Sequence, residues 1–207
     1  MKYTCLLFLL FSYAAKAQPD IFNVSLTDSA KKILYVGVDN RLLLKNISLT
    51  RGSLSITNGV LVTKLGKEFV AQVNSDSSKA VITFTKKNKV VFSKEFDIAT
   101  IPDPVARLGY IQDSIASIGQ ILSNPYLTIN CKCYYVSYFY VVSFKLSINK
   151  LAGDEGGGSG IGNKLSDEQI KQIRECSSGD KLTFTDIRAL CPDCRTRKLY
   201  PFTITIK

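Results

Sequence analysis

Histidine and tryptophan are absent from the 207 residues, and methionine occurs once. Without histidine there is no Ser-His-Asp or Cys-His nucleophile, no imidazole metal ligand and no general base of the commonest kind. The lack of tryptophan and the single Met decide nothing. Long apolar runs are missing as well. Past the first residues, no segment reaches the roughly 18 apolar residues that a membrane helix needs. Acidic residues are the scarcer charge, 17 against 27 Lys and Arg, for a formal charge of +10. With 45% hydrophobic and 21% charged residues, the chain can bury a sizeable core and is not a disordered polyelectrolyte.

The start of the chain reads as an export signal. Lys2 precedes the short apolar run Leu6-Leu7-Phe8-Leu9-Leu10-Phe11, and Ala15-Lys16-Ala17 is an A-x-A-like cleavage site. Residues 1–17 are therefore expected to be removed. Cys5 precedes the apolar run, a poor position for a lipid anchor. Removal takes Lys2 and Lys16 and no acid, lowering the charge by two. The mature chain is expected in the periplasm, with no transmembrane segment. Its remaining basic residues fall in small groups, Lys86-Lys87-Lys89 and Arg195-Arg197-Lys198. Such groups fit an acidic partner or a solvated face, and nucleic acid is not expected as a ligand.

Residues 21–100 read as short strands broken by turns. Ile33-Leu34-Tyr35-Val36 leads into Gly37-Val38-Asp39-Asn40, with Leu42-Leu43-Leu44 beyond, and Asn58-Gly59 supplies a later turn. Val81–Thr85 and Val90–Phe92 flank the polar stretch 86–89 as a hairpin. Ile101-Pro102-Asp103-Pro104 is the expected boundary, because two prolines in three residues end regular pairing. The predicted organisation is a β-sandwich-like domain at 18–101 and a β-rich domain at 102–207. The fold class is mainly β, two tandem antiparallel β-sandwich-like domains, the second with one α-helix. In the second, 127–149 reads as one long strand-like run. Asp113 or Ser114 is a candidate cap for a short helical stretch through Leu122. Asp154-Glu155-Gly156-Gly157-Gly158-Ser159-Gly160 reads as a flexible loop. The firm helix starts at Ser166, where Ser166 and Gln169 form an S-x-x-Q capping box flanked by Leu165 and Ile170, and runs to about Cys176. Strands near 181–187 and 198–206 close the chain.

The cysteines are the candidates for chemistry. Five lie beyond the signal: Cys131, Cys133, Cys176, Cys191 and Cys194. Cys191 and Cys194 flank Pro192-Asp193, a favoured turn pair whose ends lie close enough for a disulfide. Cys131 and Cys133, placed on one face of a strand, are not expected to bond each other. The four could instead form a Cys₄ zinc site if their segments meet, or remain free thiols. An odd number leaves at least one thiol free or paired between chains. No catalytic, cofactor-binding or metal residue is expected in the leading reading. The cluster Tyr134-Tyr135 with Tyr138-Phe139-Tyr140 fits packing better than ligand stacking.

Four segments carry a family resemblance: Tyr35–Asn40, Ile101–Ala106, Gly162-Asn163-Lys164 and Arg197-Lys198-Leu199. In this order they resemble the C-terminal periplasmic region of the gliding-motility and type IX secretion family GldM (PorM), over nearly all the mature chain. The resemblance implies tandem β-rich domains, a homodimer, no enzymatic activity and envelope or secretion-apparatus proteins as partners. Family members form a periplasmic shaft from an inner-membrane motor to an outer-membrane-associated ring. A cleavable signal here replaces the family's transmembrane helix, so motor torque is not implied. The family's last turn resembles Gly-Pro-Asp-Gly, whereas this chain has Cys191 and Cys194 at the two ends. The competing class is a periplasmic thiol-redox or zinc-binding protein using Cys131, Cys133, Cys191 and Cys194.

Overall fold

A computed structural model describes residues 18–47, 52–63, 67–136 and 138–207. The expected signal, its cleavage site and Cys5 lie outside the described residues. No helix among the described residues is long and apolar enough to cross a membrane. The fold is mainly β.

The N-terminal half packs two four-stranded sheets face to face. One is β1 (Asp20–Asn23), β3 (Asn40–Lys45), β6 (Glu68–Val73) and β5 (Gly59–Thr63), in that spatial order. The other is β2 (Ile33–Tyr35), β8 (Lys89–Ala99), β7 (Lys79–Lys86) and β4 (Gly52–Ile56). All pairs are antiparallel except β2 with β8. Alternation decides the inner faces: Leu42 and Leu44 point inward and Leu43 outward, while Ala80, Ile82 and Phe84 point inward from β7. Together with Ile21, Phe69, Ala71, Leu34 and Phe96 they form one core. Each large side chain buried there contributes about 1.5–3 kcal/mol.

The expected hairpin forms, longer than its sequence cue. Lys86 pairs with Lys89 across Lys87 and Asn88, whose φ values of 50° and 58° suit a tight type I′ turn. The turns at Gly37 (φ 77°) and Asn58 (φ 56°) also form. Neither joins paired strands. β2 and β3 lie in different sheets, as do β4 and β5, so both turns carry the chain across the sandwich. Asn40 stitches the first crossing. Fully buried, its amide donates to the carbonyls of Tyr35, Val38 and Ala71 and accepts from the Tyr35 N–H at 2.8 Å.

The C-terminal half is built on a sheet ordered β10 (Ile115–Ala116), β16 (Phe202–Ile206), β14 (Lys181–Leu190), β12 (Tyr140–Asn149) and β13 (Glu155–Ile161), with β15 (Thr196–Lys198) paired to β14. β10 and β16 are parallel, the other pairs antiparallel. A ribbon of β9 (Val105–Leu108) and β11 (Leu127–Asn130) joins two helices, α1 (Ile118–Ser123) and α2 (Asp167–Arg174), around the core on its inner face. That core is separate from the first, and Leu108, Ile121, Phe144, Leu146, Ile173 and Phe184 are among its members.

Four expectations need correction here. There are two helices, not one. α1 is capped by Ser117, whose hydroxyl and Gln120 form a full capping box, and not by Asp113 or Ser114. The glycine-rich stretch is an edge strand, not a flexible loop. A Cβ on Gly160 would meet the Phe144 ring at 2.3 Å, and one on Gly157 the Leu146 carbonyl oxygen at 2.1 Å. Glycine lets β13 approach β12 closely. Gln172 on α2 accepts from the Gly157 N–H at 2.7 Å, and Gln169 donates to the Gly158 carbonyl at 3.0 Å. Finally, 127–149 is not one strand: β11 ends at Asn130 and β12 begins at Tyr140. α2 itself starts as expected, with the Ser166–Gln169 box formed and Leu165 and Ile170 in the core cluster.

Candidate functional site

Between β11 and β12, residues 131–136 cross to the N-terminal half as a strap. Its residues pair with 25–27 as a three-residue ladder. The Thr27 N–H donates to the Tyr134 carbonyl and the Val136 N–H to the Ser25 carbonyl, both at 2.7 Å, about an isolated bridge of Leu26 with Tyr135. Apolar side chains close the joint. Leu26, Tyr35, Val38 and Ile101 are buried there, packed by Cys131, Cys133, Tyr135 and Phe139.

The two tyrosines lock the geometry. Tyr35 and Tyr135 meet edge to face with ring centroids 5.9 Å apart, an arrangement worth about 0.5–1.5 kcal/mol beyond burial. The Tyr134 N–H donates to the Tyr35 hydroxyl at 3.2 Å, and the Tyr135 hydroxyl donates to the Asp39 carbonyl at 3.0 Å. Burial pushes both phenols above their ordinary range, and the nearby Asp39 carboxylate adds to this at Tyr135. Lys31 stands over the Tyr134 ring, 5.2 Å from its centroid.

Arg197 fastens the other end. Its guanidinium donates to the Ile101 carbonyl at 2.8 Å and to Asp103 at 3.0 Å, and pairs with Asp193 of the 191–194 turn. The same turn abuts the N-terminal half, since a Cβ on Gly37 would lie 3.3 Å from that of Asp193. The basic group Arg195-Arg197-Lys198 is thus largely structural: Arg197 is the latch, and Lys198 pairs with Asp186 at 2.7 Å. Sequence reasoning missed the strap and the latch, although the tyrosine-rich run, Arg197 and Asp103 were all in view.

The predicted cysteine positions fall into two groups. Around Pro192-Asp193 the Cys194 N–H donates to the Cys191 carbonyl, and the Cys191 N–H to the Arg195 carbonyl, both at 3.0 Å. This is a three-residue hairpin loop whose last residue, Cys194, has φ 58°. Cys191 is buried and Cys194 exposed, both as free thiols. Burial pushes the Cys191 thiol up. Cys131 and Cys133 stand in the strap, not on a strand face, and their sulfurs are 2.7 Å apart. The expected placement on one strand face is corrected: irregular backbone turns the two side chains toward each other, and both are free thiols. Among the described residues, no group of three or more Cys, Asp, Glu or His is placed to hold a metal, so the four cysteines are not assembled as a zinc site.

No family model and no curated protein matches the chain. Among solved structures, that of the Yersinia pseudotuberculosis adhesin InvE is a remote likeness, 11% identical with a TM-score of 0.24. The match covers 86% of this chain and 57% of that one. A likeness of this size carries no argument about function.

Proposed function

We propose that the chain is an exported, non-enzymatic structural and protein-interaction module of the bacterial envelope, similar to the periplasmic shaft of the GldM (PorM) family. One observation carries this reading. Three of the four segments behind the resemblance contribute to one place: Tyr35–Asn40 supplies Tyr35, Val38 and the Asp39 carbonyl, Ile101–Ala106 supplies Ile101 and Asp103, and Arg197–Leu199 supplies the latch. Residues that set the angle between two β-rich halves are what a shaft-like module requires. In this reading the mature protein is periplasmic, is a homodimer and binds envelope or secretion-apparatus proteins. The surface offered to them is the exposed group Tyr138, Tyr140 and Leu190, with Val142 and Ile161 exposed on β12 and β13. Tyr140 stands opposite Leu190 in the ladder, and the Tyr138 and Tyr140 rings lie 6.4 Å apart.

The test is affinity capture from envelope extracts of a bacterium that has a type IX secretion apparatus. Ring components should be retained by the chain and lost with Y138A/Y140A. Recovery of no envelope protein, with a monomer in solution, would remove the proposal.

A further inference from the structure

Cys131 and Cys133 flank a single residue, Lys132, and their sulfurs face each other at 2.7 Å. Two residues apart, Cα atoms span at most about 7 Å, the outer limit for a disulfide. In a strand the two side chains would stand parallel and apart. The strap's irregular backbone makes them converge. Both thiols are half-buried and line a groove of about 510 Å³, together with Thr27, Arg107, Tyr135 and Phe139. The Pro102 carbonyl oxygen is the next polar atom near the Cys131 sulfur, 3.8 Å away.

We propose that Cys131 and Cys133 form a reversible intramolecular disulfide, making the strap a redox-modified site at the joint between the two halves. The co-reactant is another disulfide, carried by a thiol oxidase or by a small molecule such as oxidised glutathione. The Cys133 sulfur, having lost its proton to solvent, attacks one sulfur of that disulfide. The partner's S–S bond breaks and one partner thiolate leaves, taking up a proton. The Cys131 sulfur then loses its proton and attacks the Cys133 sulfur of the mixed disulfide, releasing the second partner thiol. Two S–H groups of this chain become one S–S bond, and the partner's S–S becomes two S–H groups. The chain is oxidised by two electrons and the partner reduced by two. Burial and the adjacent Cys133 sulfur push the Cys131 thiol up to about 12; exchanging the roles of the two sulfurs leaves the balance of the reaction unchanged. A bond in an open groove belongs with the labile, reducible ones rather than with buried structural disulfides. Cys191 lies near enough to add to the upward push on the Cys131 thiol, so the map must tell a Cys131–Cys133 bond from a link to the 191–194 turn.

The experiment uses the whole chain, reduced and then incubated with oxidised glutathione. Remaining thiols are alkylated in denaturant and the protein is digested and mapped. Because Lys132 lies between the cysteines, trypsin yields either two peptides joined by the new bond or one peptide lighter by two hydrogens. Cys131 and Cys133 should disappear together from the alkylated fraction and return on reduction. The C191S/C194S variant should retain this loss, and C131S should leave Cys133 alkylated or bearing glutathione. Should C131S fail to fold, the map of the unaltered chain decides alone. Alkylation of both Cys131 and Cys133 after oxidation, or a link from either to Cys176, Cys191 or Cys194, would overturn the proposal.

Discussion

The two halves bury their cores by different means. The N-terminal half closes its core between two sheets, and strict alternation along β3 and β7 suffices to fill it. The C-terminal half covers the inner face of one sheet with helices and a ribbon, and its outer face carries polar groups such as Lys145, Arg188 and the hydrogen-bonded Thr183–Thr203 pair. Alternation also fails there. Buried residues are three apart at Val141 and Phe144 on β12, and at Phe184 and Ile187 on β14. Register shifts lie between Val141 and Ser143 and between Ser143 and Lys145, and Asp186 takes φ 47°. An extra residue on one strand followed by one on its partner lets both strands change phase together. A sheet with one covered face tolerates this, because the residues displaced outward meet water.

The comparison breaks most visibly in the cores. Phe96→Ala in the first and Phe184→Ala in the second should each cost about 3–5 kcal/mol. If the halves have separate cores, each substitution should lower its own transition in urea denaturation followed by hydrogen exchange. Equal loss of protection in both halves from either variant would show the joint to be part of one cooperative unit. Next comes the latch. Arg197→Ala removes three partners and leaves the Asp193 carboxylate, only 7% exposed, without its ion pair. The expected cost is about 2–3 kcal/mol, read as faster proteolysis at 101–104 with both cores intact. Unchanged cleavage there would remove Arg197 as the element fastening the linker.

Gly160→Ala tests the close approach of β13. Its methyl would strike the Phe144 ring, for a loss of about 1–3 kcal/mol, measured as a lower Tm. A neutral result would mean that β13 does not lie where its glycines place it. Cys194→Gly should act in the opposite direction in the reduced protein, stabilising by about 1 kcal/mol, because Cys194 occupies left-handed backbone that glycine adopts freely. A fall in Tm in the oxidised protein, absent after reduction, would instead indicate the Cys191–Cys194 disulfide predicted from the turn. The smallest effect is alkaline. Tyr35 and Tyr135 have folded-state pKa values above their ordinary range. Their contribution is full below the unfolded phenol pKa of about 10 and is lost as pH rises through the higher folded values. The joint should therefore weaken at high pH, and Tyr135→Phe should flatten that dependence. An unaltered pH profile in this variant would assign the loss elsewhere.

Local chemistry was readable wherever the deciding partners are neighbours in sequence. The Ser166–Gln169 box, the Lys87-Asn88 hairpin tip and the 191–194 turn all follow from residues within a few positions of one another. The Ser117–Gln120 box carried the same S-x-x-Q signal as α2 and was readable too. The candidate site was only half legible: the cysteines and tyrosines were conspicuous, but their meeting was not. The run 127–149 has strand-forming residues throughout, and nothing local marks 131–136 as a part that leaves the sheet.

What the sequence determined by itself is the mainly β character, the inward faces of the regular strands, the helix caps and the tight turns. Each depends on periodicity or on hydrogen bonds spanning a few residues. Tertiary structure alone decided that the glycine run becomes a strand, because only the Phe144 ring and the Leu146 backbone make the absence of a Cβ useful. It alone brought Tyr35 to Tyr135 and Arg197 to Ile101, contacts that span about half the chain. And it alone turned Cys131 toward Cys133, since that depends on a strap held open by pairing with residues 25–27, on the other side of the joint.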